Sequence, residues 1–187
     1  MIDFTIPEEA KAVRDKVRAF VQSECHPAEE TCTADNFDET MAGLRSKARA
    51  QGLWCPFIPV EHGGMGLRPL ANALVQMELG ESHLGALSLN TQGPDDATML
   101  TLLEHGTDFQ KETFLKPLLN GEKRICYSMT EKAAGADATG MQTTAVLEGD
   151  EWVLNGEKWC SSSASVADIA VVMAKTDPDA RRRAQYS

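Results

Sequence analysis

The chain has 187 residues, 42% of them hydrophobic and 25% charged, and its 28 acidic against 18 basic residues give a formal net charge of −10. That length suffices for one good core, or for one domain and part of a second, and the composition is that of an ordinary globular protein. The acidic excess excludes a phosphate-tracking nucleic-acid binder, which needs a basic face. No apolar run approaches the roughly 20 residues that span a bilayer. The one dense basic run, Arg181-Arg182-Arg183, reads as a solvated tail or loop. The opening stretch, Met1 to Glu9, is acidic and lacks a basic start and an apolar centre, so it reads neither as a secretory signal nor as an Arg-rich presequence. The five cysteines are odd in number and irregularly spaced, which suits a reduced, cytoplasmic thiol state. Cys25, His26 and Cys32 lack a fourth ligand at a metal-like spacing, so no metal site is expected.

Apolar periodicity predicts helices over the first two thirds. Pro7, Glu8 and Glu9 suit a first turn, and Val13, Val17, Phe20 and Val21 then fall on one face. A second helix is expected from about Asp38, with Met41, Leu44 and Ala48 inward and Gly52 as its stop. Glu61 to Gly66 contains three glycines in four positions and reads as a turn. Further helices are expected from Pro69 to Glu81 (Leu70, Leu74, Val75 and Met77 apolar), from Gly93-Pro94 to Gly106 (Met99, Leu100, Leu102 and Leu103), and from Asp108 to Asn120-Gly121 (Phe114, Leu115 and Leu118). Near Lys123 the period becomes strand-like. Strands are expected at Arg124–Met129, at Thr143–Leu147 and Glu151–Leu154 around a Gly149-Asp150 turn, at Lys158–Ser161 after an Asn155-Gly156 turn, and at Ile169–Ala174. The expected fold class is α+β: an N-terminal helical bundle over 1–121 and an incomplete antiparallel β domain over 122–187, with too few strands to close a sheet.

The chemistry-bearing stretch is Cys126-Tyr127-Ser128-Met129-Thr130-Glu131, followed by Ala134-Gly135-Ala136-Asp137 and then by Asn155-Gly156-Glu157-Lys158-Trp159. Backbone amides and small hydroxyls near a glycine turn can bind an electron-rich heterocycle or an anion. On residues alone an ordinary strand-to-loop connection is the favoured reading of the stretch. It is not a dinucleotide fingerprint, a P-loop, a Cys-x-x-Cys or a nucleophile elbow.

The order of motifs resembles the acyl-CoA dehydrogenase family. The family's Gly-Gly-x-Gly turn matches Gly63-Gly64-x-Gly66. Its Gly-Thr-x-x-Gln-Lys and Leu-x-Pro-x-Leu-x-Gly segments match Gly106 to Lys111 and Leu115 to Gly121. Its Tyr-x-x-Thr-Glu-Pro-x-x-Gly-Ser-Asp run matches Tyr127 to Asp137. Lys158-Trp159-Cys160-Ser161-Ser162-Ser163 is similar to a branch reading Lys-Trp-Trp-Ser-Ser-Gly. The resemblance implies FAD as cofactor, with Tyr127, Met129 and Thr130 on one side of the flavin and Cys160, Ser161 and Ser162 covering the other. It implies that Gly135 and Ala136 face the CoA arm of an acyl-CoA thioester. The reaction would be α,β-dehydrogenation, with an electron-transfer flavoprotein as the electron partner and a homo-oligomer or a partner chain as the assembly. It also implies a structural role for Glu131 and a catalytic base outside residues 1–187, so no catalytic residue is assigned within the chain.

Three positions depart from the family pattern. Lys132 stands where the family has Pro, which frees a φ angle otherwise fixed. Ala136 replaces a Ser that touches the CoA arm, a loss of about 1 kcal/mol. Cys160 replaces a large aromatic and removes a flat wall. These departures leave a second reading open: a non-catalytic interaction fragment, or a subunit of a split or decayed dehydrogenase.

Overall fold

A computed structural model describes residues 5–187 and divides into two compact units, Met1–Glu122 and Lys123–Ser187. Met1 to Phe4, the start of the acidic opening stretch, lie outside the described residues.

The first unit is helical. Helix α1 (Glu8–Phe20) starts after Pro7, with two acids in its first turn and Arg18 in its last, which matches the helix dipole. It continues through a wider i→i+5 turn at Val21–Cys25 into α2 (His26–Thr31). Pro27 sits at the start of α2, and the wider turn makes room for its ring and for the missing N–H. Helix α3 (Phe37–Ala50) ends as expected at Gly52. The Gly52 φ is 67°, its N–H donates to the Arg49 carbonyl at 2.9 Å, and the Leu53 N–H donates to the Ala48 carbonyl at 2.8 Å. This is the paired closure that a left-handed glycine allows.

Helix α4 (Pro69–Leu79) packs on α1. Val75 and Leu79 are buried with Val17 and Phe20, and Arg18 forms a two-pronged bond to Glu78 at 2.7 and 2.9 Å. Leu70 and Met77, expected inward, are 50% and 69% exposed instead. The helix carries apolar residues on more than one face, and these two lie off its buried face. A short α5 (Gly85–Ser88), which periodicity is too brief to show, leads to α6 (Asp95–His105), where Met99 is fully buried. The last helical run is α7 (Asp108–Gln110), a second wide turn at Lys111–Leu115, and α8 (Lys116–Leu119), again with a proline, Pro117, just after the wide turn. Thr107 and Gln110 cap its start reciprocally.

The end of α8 is fixed by side chains. Asn90 Nδ2 donates to the Leu118 carbonyl and Trp54 Nε1 to the Leu119 carbonyl, each at 2.9 Å. Arg49 donates to Asn120 at 2.6 Å and Arg45 to Gly121 at 2.9 Å. Four consecutive carbonyls at and just past the helix end thus find side-chain donors, two of them cationic.

In the second unit, β1 (Ile125–Ser128) pairs in parallel with β4 (Ile169–Val172), while β2 (Thr144–Glu148) and β3 (Glu151–Asn155) form the antiparallel hairpin expected around Gly149, whose φ is 63°. The parallel direction of the first pair was not expected, because alternation does not encode strand direction. Nor does the second hairpin form: Lys158 to Ser161 carry no strand. Gly156 has φ 153° rather than the left-handed pair of a two-residue turn, and a Cβ there would collide with Thr143. The glycine serves a close approach, and the following residues leave the hairpin to meet Glu131.

A Cβ at Gly64 would likewise collide with the Ile58 carbonyl, whereas one at Gly43, inside α3, would meet open space. Gly64→Ala is therefore expected to destabilise the first unit by about 1–3 kcal/mol, and Gly43→Ala to stabilise it by about 1 kcal/mol. Urea unfolding followed by Trp54 fluorescence reads both, and equal effects from the two substitutions would contradict the packing described.

Candidate functional site

Neighbouring residues on a strand face opposite sides. Along β1, Cys126 and Ser128 are buried while Tyr127 and, just past the strand, Met129 are 39% and 36% exposed. The chain then turns, and Glu131 is drawn inside, only 6% exposed. One of its oxygens accepts the Gln142 N–H at 2.5 Å; the other accepts the Thr143 N–H and Lys158 Nζ, each at 2.9 Å. Lys158 Nζ also donates to the Met129 carbonyl at 3.0 Å. Burial pushes the Glu131 pKa up, but the Thr143 side chain, the two backbone N–H groups and Lys158 outweigh it and hold the pKa at about 2. A carboxylate so acidic is ionised at neutral pH and a poor proton acceptor, so its work is structural.

The backbone of Glu131 closes the turn that follows, since the Ala134 N–H donates to the Glu131 main-chain carbonyl at 3.1 Å. The turn forms with Lys132 in the family's proline position, and Lys132 Nζ lies 5.7 Å over the Trp159 ring.

The two segments expected on either side of a flavin meet at two points. The Trp159 N–H donates to the Thr130 carbonyl at 2.8 Å, and the Ser128 and Ser161 hydroxyls are 2.7 Å apart. Ser161 therefore joins the inner side of β1 with Ser128. Cys160 (φ 56°) and Ser163 (φ 66°) are left-handed, and Cys160 and Ser162 are exposed. No hydrogen bond among the described residues joins Tyr127 or Met129 to Cys160, Ser161 or Ser162. Periodicity and motif order did not reveal Ser128, Thr143 or Lys158 as members of this junction. The only trace was Lys158 in the Asn-Gly-x-Lys run, 27 residues from its partner.

Gly135, Ala136 and Asp137 follow as an exposed loop. Asp137 accepts from the Thr139 hydroxyl at 2.6 Å and the Thr139 N–H at 3.0 Å, and from Arg182 at 2.7 Å. The Thr139 hydroxyl, with its N–H and Arg182, holds the Asp137 carboxyl below the usual carboxylate range. Arg182, expected in a solvated tail, is thus ion-paired to this loop.

Flavin binding asks for apolar surface beside free polar groups. Exposed Tyr127 and Met129 supply the surface, and the hydroxyls of Thr130 and Ser162 have no hydrogen-bond partner among the described residues. The residues present fit one side of such a ring. Among the described residues no three of His, Cys, Asp or Glu gather to hold a metal ion.

Residues 7–122 match the acyl-CoA dehydrogenase N-terminal domain, and residues 126–187 match the acyl-CoA dehydrogenase middle domain. The chain is 35% identical to acyl-CoA dehydrogenase family member 11 of Gallus gallus over 92% of its own length and 24% of that protein's. It superposes with a TM-score of 0.90 and 34% identity on a protein from Mycobacterium abscessus assigned to the acyl-CoA dehydrogenases, covering 98% of this chain and 50% of that one. An acyl-CoA dehydrogenase complexed with FAD from Bacillus anthracis aligns with a TM-score of 0.69 and 28% identity, over 95% of this chain and 30% of that one. The chain spans less than half the length of the curated relatives it matches.

Lys158→Met would leave the Glu131 charge buried with no cationic partner, and is expected to destabilise the second unit by about 3–5 kcal/mol. Glu131 has a folded pKa of about 2 against an ordinary 4.5. Its stabilisation is therefore fully present above 4.5 and is lost as pH falls toward 2. Lys158→Met should start that loss at higher pH and Glu131→Gln should flatten it. Acid titration of tryptophan fluorescence measures both, and an unmoved acid transition in Lys158→Met would refute the assignment.

Proposed function

Since this chain belongs to the acyl-CoA dehydrogenase family, we propose that it forms part of an FAD-dependent enzyme that introduces an α,β double bond into an acyl-CoA thioester. The single observation that carries this reading is the junction at Glu131, which ties the 127–130 and 159–161 segments to each other around an exposed apolar surface with free hydroxyls. In this reading Tyr127, Met129 and Thr130 hold the flavin from the β1 side, and Cys160, Ser161 and Ser162 border it from the loop. Gly135 and Ala136 meet the CoA arm. Bound FAD supplies the two-electron acceptor.

The chain's own contribution is position and electrostatics. Glu131 stays ionised and fixes the loop, since a carboxylate with a pKa of about 2 would not take the α-proton; the family resemblance gives that role to a base outside residues 1–187. An electron-transfer flavoprotein accepts the electrons, and a second copy or a partner chain completes the assembly. A cytoplasmic setting agrees with five free thiols and with the absence, among the described residues, of any helix long and apolar enough to cross a membrane.

A non-catalytic interaction role is favoured by a different observation. Leu147, Trp152 and Leu154 share one face of the β2–β3 hairpin and are each more than half exposed.

Flavin retention separates the two readings. The 187 residues alone are expected to purify colourless, and a chain extended to the length of its relatives is expected to purify with stoichiometric FAD. An extended chain that folds without flavin would leave the interaction role standing. In the extended protein, Ala136→Ser is expected to tighten acyl-CoA about fivefold, the worth of one added hydrogen bond. An unchanged Kd would mean that the CoA arm runs elsewhere.

A further inference from the structure

Residues 174–187 double back on the second unit. Ala174 and Ser187 exchange backbone hydrogen bonds at 2.9 and 3.0 Å, and the Thr176 N–H donates to the Gln185 carbonyl at 2.8 Å. Gln185 in turn donates to the carbonyls of Pro178 and Ala180 at 2.8 and 3.1 Å, which shapes the intervening turn. This arm carries two side chains to one target. The Tyr186 hydroxyl donates to the Thr139 carbonyl at 2.6 Å and lies 3.3 Å from the Met141 carbonyl, while Lys175 Nζ sits 5.6 Å over its ring. Arg182 reaches Asp137 at 2.7 Å.

The segment that follows Gly135-Ala136 is therefore held at both ends, by Arg182 at Asp137 and by Tyr186 at Thr139 and Met141. Beyond Met141, which is 2% exposed, Gln142 and Thr143 are already anchored on Glu131. On the other side the last anchor is the Ala134 N–H bond to the Glu131 carbonyl at 3.1 Å, so Gly135 and Ala136 are slung between that bond and the tether behind them.

We propose that Tyr186, with Arg182 as a second tether, is a positioning residue for the Gly135-Ala136-Asp137 loop and so sets the affinity for the CoA arm of the substrate. The inference rests on the acyl-CoA reading above. The two tethers differ in weight. The Arg182 and Asp137 side chains are 69% and 62% exposed, and such a pair is worth a few-fold at most. The Tyr186 hydroxyl is part-buried, and its loss strands two carbonyls, an effect of about fivefold. A loop freed from both tethers samples arrangements of which only a fraction meets the ligand, and apparent affinity falls by that fraction.

The test is made in the full-length protein loaded with FAD, with free coenzyme A as the probe. Two quantities are read together: amide hydrogen exchange over 135–140 and the CoA dissociation constant. Tyr186→Phe is expected to speed exchange and weaken CoA about fivefold each, and Arg182→Ala about threefold with recovery in Arg182→Lys. FAD affinity should stay unchanged, and melting temperature should fall by no more than one lost hydrogen bond accounts for. Faster exchange with unchanged CoA affinity would overturn the positioning role, as would unchanged exchange. A parallel loss of FAD affinity and melting temperature would make Tyr186 merely structural and also overturn it. A parent protein that binds FAD but no CoA would sink the acyl-CoA reading, and this inference with it.

Discussion

Taking the Glu131 carboxylate out of water costs several kcal/mol, which only a full set of donors offsets. Three donors come from two stretches distant in sequence: Gln142 and Thr143 on the approach to β2, and Lys158 beyond β3. Because a buried charge tolerates no missing partner, the carboxylate dictates where both stretches run. Lys158 spends another donor on the Met129 carbonyl, so the exit of β1 is held by the same ammonium. The turn after Glu131, the Trp159–Thr130 bond and the start of the 135–141 loop all follow from this one placement.

The two units are stabilised differently. In the first, large side chains such as Phe20, Leu53, Leu79 and Met99 are essentially fully buried, each worth about 1.5–3 kcal/mol. In the second, several of the buried apolar residues are small (Cys126, Ala134, Ala145, Ala174), and Trp152, Leu154 and Trp159 lie about half exposed. A unit with so little apolar burial leans on its polar junction, and that junction is where the family's motif residues gather. Structure and candidate chemistry share the same atoms there.

The departures from the family pattern take on physical meaning in that setting. A proline at position 132 would fix a turn that the Glu131 main-chain carbonyl already closes, so Lys132 is accommodated, and its cation finds the Trp159 ring. Cys160 occupies a left-handed position at the surface, where its small side chain presents no flat wall. The arm bearing Arg182 and Tyr186 adds order where Ala136 offers no hydroxyl of its own.

Helix boundaries were legible in the sequence because their signals are local. Pro7 with its acids and Gly52 after α3 act within a few residues. The family, too, was legible, since motif order survives without any knowledge of contacts. Contacts between distant residues were not. No spacing rule shows that Gly156 is there for Thr143, that β1 and β4 run in parallel, or that Leu70 and Met77 stay in solvent. Nor does a run of three arginines say that the second one pairs with Asp137. Local propensity reports what a few neighbouring residues prefer. Only the tertiary structure decided which distant donors gather around a buried charge, because that choice is made by the energy of the whole cluster.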